Sequence, residues 1–211
     1  MKNVINIAVV GLGQVGIYLL NELNIKKKDI ELKTGKNINI VAISARNINK
    51  KRRFKINKKI FFKNPLEIFN KTKVDILFEA IGLSDGISKK VVETAIKNKI
   101  HVITPNKALI SKHGDYLSDL AEENNVNLEF EASVAGGIPI LRAIKESLAT
   151  NKISKVYGIL NGTSNYILSE MRDSKDSFSN VLKKAQKLGY AEPGNSKLDL
   201  NGFDAFAKVR I

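Results

Sequence analysis

Near its start the chain reads Val4–Val10 (VINIAVV), then Gly11-Leu12-Gly13-Gln14-Val15-Gly16, then Ile17–Leu23 with apolar residues at helical spacing. No other stretch restricts the fold so much. A short β-branched run that ends in glycine predicts a strand buried on both faces. The glycines predict a tight turn, and the spacing after them predicts a helix. Further strand-like runs follow at Ile38–Ser44 (INIVAIS), Val74–Gly82 (VDILFEAIG), Ile100–Thr104 (IHVIT) and Val126–Glu131 (VNLEFE). Between them, Pro65–Asn70, Ser88–Asn98 and Gly114–Asn124 read as helices, and the Lys-rich stretch before Ile38 reads as a connector. Nearly continuous apolar strands alternating with helices predict an α/β fold, a Rossmann-like doubly wound parallel sheet with right-handed crossovers.

After Glu131 the pattern changes. Gly136-Gly137-Ile138-Pro139 breaks the chain, Ile140–Leu148 reads as a helix and Ile153–Leu160 (ISKVYGIL) as a strand. Tyr166–Met171 starts a helix. Phe178–Leu188 is amphipathic, with apolar positions at 178, 181, 182, 185 and 188, and Gly189 stops it. A last helix begins near Asn201. The expected division is residues 1–132 as a dinucleotide-binding domain and 133–211 as a second, partial α+β domain.

The glycine motif has a chemical reading. The first glycine permits the turn, the second lets backbone approach a pyrophosphate, and the third lets helix pack on strand. The helix N-terminus then offers N–H groups and a positive dipole end to phosphate. Gly11, Leu12, Gly13, Gln14, Val15 and Gly16 are therefore candidate cofactor-binding residues. Sheets of this kind usually end strand two with an Asp or Glu for a ribose 2′-hydroxyl. Here that strand ends Ser44-Ala45-Arg46-Asn47, followed by Lys50, Lys51, Arg52 and Arg53. With no carboxylate present, and a guanidinium able to grip a 2′-phosphate, NADP is expected over NAD.

This basic stretch belongs to a larger block. Residues 26–63 hold fourteen Lys and Arg against Asp29 and Glu31, which accounts for nearly all of the net +14. Eleven of the fourteen are Lys, and no aromatic residues are spaced along the block as stacking platforms. It reads as a solvated face that partly serves a phosphate, in preference to a nucleic-acid footprint. The absence of Cys removes disulfides, thiol nucleophiles and Cys-based zinc sites together, and two His leave no His-rich metal site. With no long apolar run and no signal segment, the chain is expected to be soluble and cytoplasmic.

Three further segments can carry chemistry. Thr104-Pro105-Asn106-Lys107 follows a strand end, where open sheets bind ligands, so Lys107 can face a ligand or plain solvent. Asn161-Gly162-Thr163-Ser164-Asn165 is a polar turn that could bind a carboxylate or amine, or be only a turn. Asp204 and Lys208 stand four apart on a helix and share a face. In a cleft the carboxylate can orient the ammonium for proton transfer to a carbonyl oxygen; in solvent the pair is a minor stabiliser.

Taken together, GLGQVG, HVITPNKALIS, FEASVAGGIPI, ILNGTSNYIL, AQKLGYAEP and DLNGFDAFAK resemble the homoserine dehydrogenase family, in that family's order and over nearly the whole chain. The resemblance implies NAD(P)-dependent interconversion of L-aspartate 4-semialdehyde and L-homoserine, in threonine, isoleucine and methionine biosynthesis. It implies Lys208 as proton donor with Asp204, and Glu192, Asp199, Asp204 and Lys107 at the substrate. It places Lys107 and Gly189 beside the cofactor. It also implies a structural monovalent cation such as sodium at Glu131, Val134, Gly136 and Ile138, and a homodimer. The loop between Glu192 and Asp199 departs from the family's spacing. The family's chains continue beyond the position matching Ile211, so the second domain is expected to be incomplete. The alternative reading is a dinucleotide-binding module without catalysis. Aspartate semialdehyde dehydrogenase, which needs a Cys nucleophile, is excluded.

Overall fold

The computed structural model describes residues 3–52, 56–191 and 197–211. These divide into two compact units, Met1–Ser147 and Leu148–Ile211.

The first unit is built on six parallel strands. β1 (Val4–Val10) runs into α1 (Gln14–Ile25), which is followed by α2 (Lys27–Thr34) and β2 (Asn37–Ser44). Then come β3 (Phe61–Phe62), α3 (Ile68–Lys71), β4 (Ile76–Glu79), α4 (Ile87–Lys97), β5 (His101–Ile103), α5 (Lys107–Glu123) and β6 (Leu128–Glu129). The strand order is β3-β2-β1-β4-β5-β6, the expected doubly wound parallel sheet. Its order reverses between β1 and β4, and the open crevice of such a sheet lies at that point. Val10 pairs with both Ser44 and Glu79, so the carboxyl ends of the three central strands form one edge. The last four residues of β1 are all buried, as a strand covered on both faces requires.

The turn from β1 into α1 is held by close backbone contacts. Gly11 takes φ +98°, and a β-carbon there would lie 2.3 Å from the Ala80 carbonyl. Its N–H donates to the Ser44 carbonyl at 2.9 Å, while the Ala80 N–H donates to the Val10 carbonyl at 2.7 Å. A β-carbon on Gly16 would stand 2.0 Å from the Gly11 carbonyl oxygen. The first and third glycines are thus fixed by packing alone.

Two expectations in this unit are corrected. The Lys-rich connector contains α2, which buries no side chain. Its support comes from a pair one turn apart, Lys27 with Glu31 at 3.9 Å, and from Gly35 in the left-handed region at its end. α5 begins at Lys107, well before Gly114, because the Asn106 side chain accepts the Leu109 N–H and caps it. The short α6 (Ile140–Arg142) and one wider turn to Ser147 close the unit.

Among the described residues the second unit consists of α7 (Gly162–Ser174), α8 (Phe178–Lys187), α9 (Lys197–Leu200) and α10 (Phe203–Arg210). Ile167, Val181, Ala185 and Ala191 form its small core. Within the amphipathic run, Val181 and Ala185 are buried, whereas Phe178 and Leu188, at the two ends, are exposed. The strand expected at Ile153–Leu160 does not form. That stretch has no ladder partner among the described residues, and Tyr157 and Ile159 are 85% and 76% exposed. β-propensity without a neighbouring strand leaves the backbone hydrogen bonds to water. Among the described residues no helix is long and apolar enough to cross a membrane.

The glycine geometry yields a paired expectation. Gly16→Ala forces the turn apart and destabilises the fold by roughly 1–3 kcal/mol, a melting shift of several degrees. Gly13→Ser leaves melting unchanged or slightly raised, because position 13 is the extended N-cap of α1 with open space around it. Thermal denaturation of the two variants beside the wild type checks both.

Candidate functional site

With packing accounting for Gly11 and Gly16, Gly13 stands apart. Its φ of −79° suits any residue, and a β-carbon there would meet nothing within 4 Å. The protein itself has no need of a glycine at 13, so the space kept clear there is space for something else. A cavity of about 690 Å³ opens beside it, lined by Leu12, Gly13, Gln14, Ile17, Tyr18, Asn21, Lys50, Lys51 and Arg52. Uncapped N–H groups at the start of α1, a clear backbone approach and lysines on the facing wall suit a pyrophosphate and a ribose phosphate. On these grounds the residues present fit a dinucleotide.

The expected phosphate-gripping cations separate into different roles. Arg52 donates to the carbonyls of Leu12 (3.2 Å), Ile48 (3.2 Å), Lys50 (2.9 Å) and Asn47 (2.7 Å). Its guanidinium folds the loop after β2 and fastens it to the glycine turn. Lys50 and Lys51 line the cavity, and Arg46 is exposed two residues beyond β2. Arg53 lies outside the described residues.

On the other side of the reversal point sits a group missed in the sequence. Glu79 is wholly buried at the end of β4. Its Oε1 accepts the Ile81 N–H (2.8 Å) and the Ser88 hydroxyl (3.0 Å), and its Oε2 accepts the Thr104 hydroxyl (2.6 Å). The Asn106 amide reaches both oxygens at 3.4 and 3.3 Å and also donates to the Leu83 carbonyl at 2.9 Å. An acid inside the apolar run VDILFEAIG was the available signal. Lys107, the first residue of α5, is half-buried directly after Asn106. Nearby, Asp85 binds Lys112 (2.7 Å) and His113 (2.9 Å) across to α5. The Lys112 ammonium, then the Ser84 hydroxyl and His113, hold its carboxyl well below the usual range.

In the second unit, three expected residues converge. Lys208 Nζ lies 2.7 Å from Asp204 Oδ2 and donates to the Leu160 carbonyl at 2.6 Å. Their side chains are only 22% and 12% exposed, so this is not a solvent-facing pair. The Asn161 amide donates to Asp199 Oδ1 and to Asp204 Oδ2, each at 2.9 Å. The single hydroxyl hydrogen of Thr163 is shared between the Tyr190 carbonyl at 2.6 Å and Asp199 Oδ2 at 3.2 Å. The polar turn therefore holds carboxylates, through Asn161 and Thr163, where the sequence left it open between a ligand turn and a plain one. Gly189, at φ +82°, ends α8 just before Tyr190, whose ring stacks on Tyr166 at 4.6 Å. Glu192 lies outside the described residues.

The turn expected to hold a cation has its own bonding. Glu131 accepts the N–H groups of Leu141 (3.1 Å) and Arg142 (2.8 Å), capping α6, and the Ile138 carbonyl accepts the Ile140 N–H at 2.8 Å. Ala135 and Gly137 both take positive φ, which curls the backbone between Val134 and Ile138. The donors are all oxygens and each engaged oxygen keeps a second lone pair, so the chemistry suits a hard cation.

Comparison with known proteins gives the chain's family. Residues 11–131 match the family model described as the homoserine dehydrogenase NAD binding domain, and residues 139–211 match that of homoserine dehydrogenase. A homoserine dehydrogenase of Neisseria gonorrhoeae is 42% identical across 98% of this chain, which covers 47% of that protein. The crystal structure of a Thiobacillus denitrificans homoserine dehydrogenase superposes with a TM-score of 0.83 at 38% identity, over 99% of this chain and 48% of that one. One of the S. aureus enzyme gives 0.85 at 40%, over 99% and 49%. The chain spans about half the length of the relatives it matches. With more than half of its residues inside the first family model alone, the chain belongs to the homoserine dehydrogenase family.

Proposed function

We propose that the chain carries the cofactor site and the acid–base centre of a homoserine dehydrogenase, which interconverts L-aspartate 4-semialdehyde and L-homoserine. The observation that carries this reading is the half-enclosed Lys208, gripped by Asp204 and by the Leu160 carbonyl. An ammonium held so firmly, whose third hydrogen meets no acceptor among the described residues, is placed to exchange a proton at a fixed position. A bound nicotinamide dinucleotide supplies or takes the hydride.

In the reducing direction Lys208 gives its Nζ proton to the aldehyde oxygen as the alcohol forms, and in the oxidising direction Nζ takes the hydroxyl proton. Asp204 holds the ammonium in place and balances its charge. Asp199 and Glu192 are suited to homoserine's ammonium group, with Asn161 holding Asp199 and Asp204 in register. Lys107 serves cofactor and substrate together, and Gly189 stands beside the cofactor. A structural monovalent cation such as sodium is held by Glu131 with the carbonyls of Val134, Gly136 and Ile138.

The cofactor is NADP in preference to NAD. β2 ends without a carboxylate, and Arg46, Lys50 and Lys51 stand where a 2′-phosphate arrives. In this reading residues 1–132 bind the dinucleotide and 133–211 the substrate, in a cytoplasmic homodimer.

The test is homoserine-dependent reduction of NADP⁺ by the 211-residue chain, with NAD⁺ in parallel. Lys208→Ala should lower turnover by about 10²–10⁴-fold while cofactor binding stays intact. Equal turnover in the variant would remove Lys208 from the chemistry. Binding of NADPH without any homoserine dependence would make the chain a non-catalytic module. The cofactor preference has its own check: replacing Arg46 and Lys50 together by Ala should weaken NADPH binding by about tenfold and leave NADH binding unchanged. Gly13→Ser should weaken both.

A further inference from the structure

Glu79 has no part in the proton transfer just described, yet four residues hydrogen-bond to its buried carboxyl. Its partners come from three separate stretches of chain: the loop after β4 (Ile81), the first turn of α4 (Ser88), and the link from β5 to α5 (Thr104 and Asn106). The direction of these bonds is fixed. Thr104 Oγ1 accepts the Asn106 N–H at 3.0 Å, so the hydroxyl's own hydrogen is left for Glu79. Asn106 turns its amide oxygen to the Leu109 N–H, so its NH₂ faces Glu79 and the Leu83 carbonyl. The Ile81 N–H, the Thr104 hydroxyl and the Asn106 NH₂ all present donors to the two carboxyl oxygens.

The position of this cluster matters as much as its bonding. A dinucleotide lying across the reversal of strand order places one nucleotide beyond β1 and β2 and the other beyond β4 and β5. Arg52 and the glycine turn organise the first half. The backbone facing the second half is the loop from Ala80 to Gly86 and the link from Thr104 to Lys107. Glu79 is the atom-level tie between these two pieces.

We propose that Glu79 is a positioning residue for the nicotinamide half of the cofactor: by tying the loop after β4 to the start of α5 it holds Leu83 and Lys107 in one arrangement. The proposal rests on the dinucleotide reading of the crevice. Glu79→Gln keeps the volume, but whichever way the amide turns its NH₂ meets a donor, Thr104 and Asn106 on one side and the Ile81 N–H on the other. Asn106→Ser keeps a cap for α5 but is too short to span from Glu79 to Leu83.

The experiment compares two ligands on the full chain: NADPH, and 2′,5′-ADP, which has no nicotinamide. Direct excitation of the reduced nicotinamide, at wavelengths that protein side chains do not absorb, reports its surroundings. Both variants should weaken NADPH binding by about tenfold and lose the emission change on binding. Binding of 2′,5′-ADP should stay within about twofold of wild type. A lower melting temperature with both affinities unchanged would make Glu79 a core residue and overturn the proposal. Equal weakening of both ligands would overturn it too. If Glu79→Gln does not fold, Asn106→Ser decides by the same comparison. A wild-type chain that binds neither ligand would remove the dinucleotide reading itself, and the proposal with it.

Discussion

The first unit is organised by one close approach, the carbonyl of Gly11 against the backbone of residue 16, where a β-carbon would lie at 2.0 Å. That contact lets α1 start directly off the end of β1. Side chains at either position would push the turn outward by more than an ångström. The Gly11 N–H would then lose the Ser44 carbonyl, and Ala80 would lose Val10. The turn would no longer sit level with the ends of β2 and β4. Everything that gives the sheet edge a chemical character depends on that level. Arg52 reaches the Leu12 carbonyl only because the turn is drawn in, and the cavity beside Gly13 exists because the loop after β2 is fastened there.

Such a contact is local in sequence, which is why it was legible. Strand, glycines and helix follow one another within a few turns of chain, and each residue type carries its reason. The α/β class and the parallel sheet follow from the same kind of signal, repeated. What stayed hidden was stabilised from far away or by weak means. α2 has no buried stripe, so its helix rests on a charge pair worth only about 0.3–0.5 kcal/mol and on a glycine stop. β3 is two residues long. Glu79 finds its partners 9, 25 and 27 residues along the chain, a distance no periodicity encodes. At Ile153–Leu160 the propensity was real and the partner absent, which shows that a strand is a property of two segments.

The second unit makes the same point about chemistry. Spacing alone placed Asp204 and Lys208 on one face, and spacing alone could not choose between a surface pair and an acid–base pair. The surface reading is removed by Asn161, 38 residues before Asp199 and 43 before Asp204, and by the Leu160 carbonyl beside it, and the proposed acid–base role rests on that enclosure. An exposed ion pair of this kind is worth well under about 1 kcal/mol and its side chains wander. With one carboxylate oxygen fixed by an amide and the ammonium fixed by a carbonyl, the same two residues have a defined geometry. Definition of geometry is what separates a catalytic group from a solvated one.

The basic block shows how misleading net charge is until its members are placed. Lys26 and Lys27 are answered by Glu22 and Glu31 on the helices before β2, and they act at those helices. Arg52, the most suggestive guanidinium in the sequence, directs four hydrogen bonds to main-chain carbonyls and works as a fastener. Its charge still counts at the crevice, because the carbonyls it binds are neutral and leave its positive field uncompensated. Arg46, Lys50 and Lys51 add to that field from flexible side chains at the cavity and the end of β2. A stretch that reads as one uniform cationic surface thus resolves into helix support, a loop fastener and a cavity wall. Only the last of these opens on a cavity, and it lies beside the one glycine of the motif that packing does not explain.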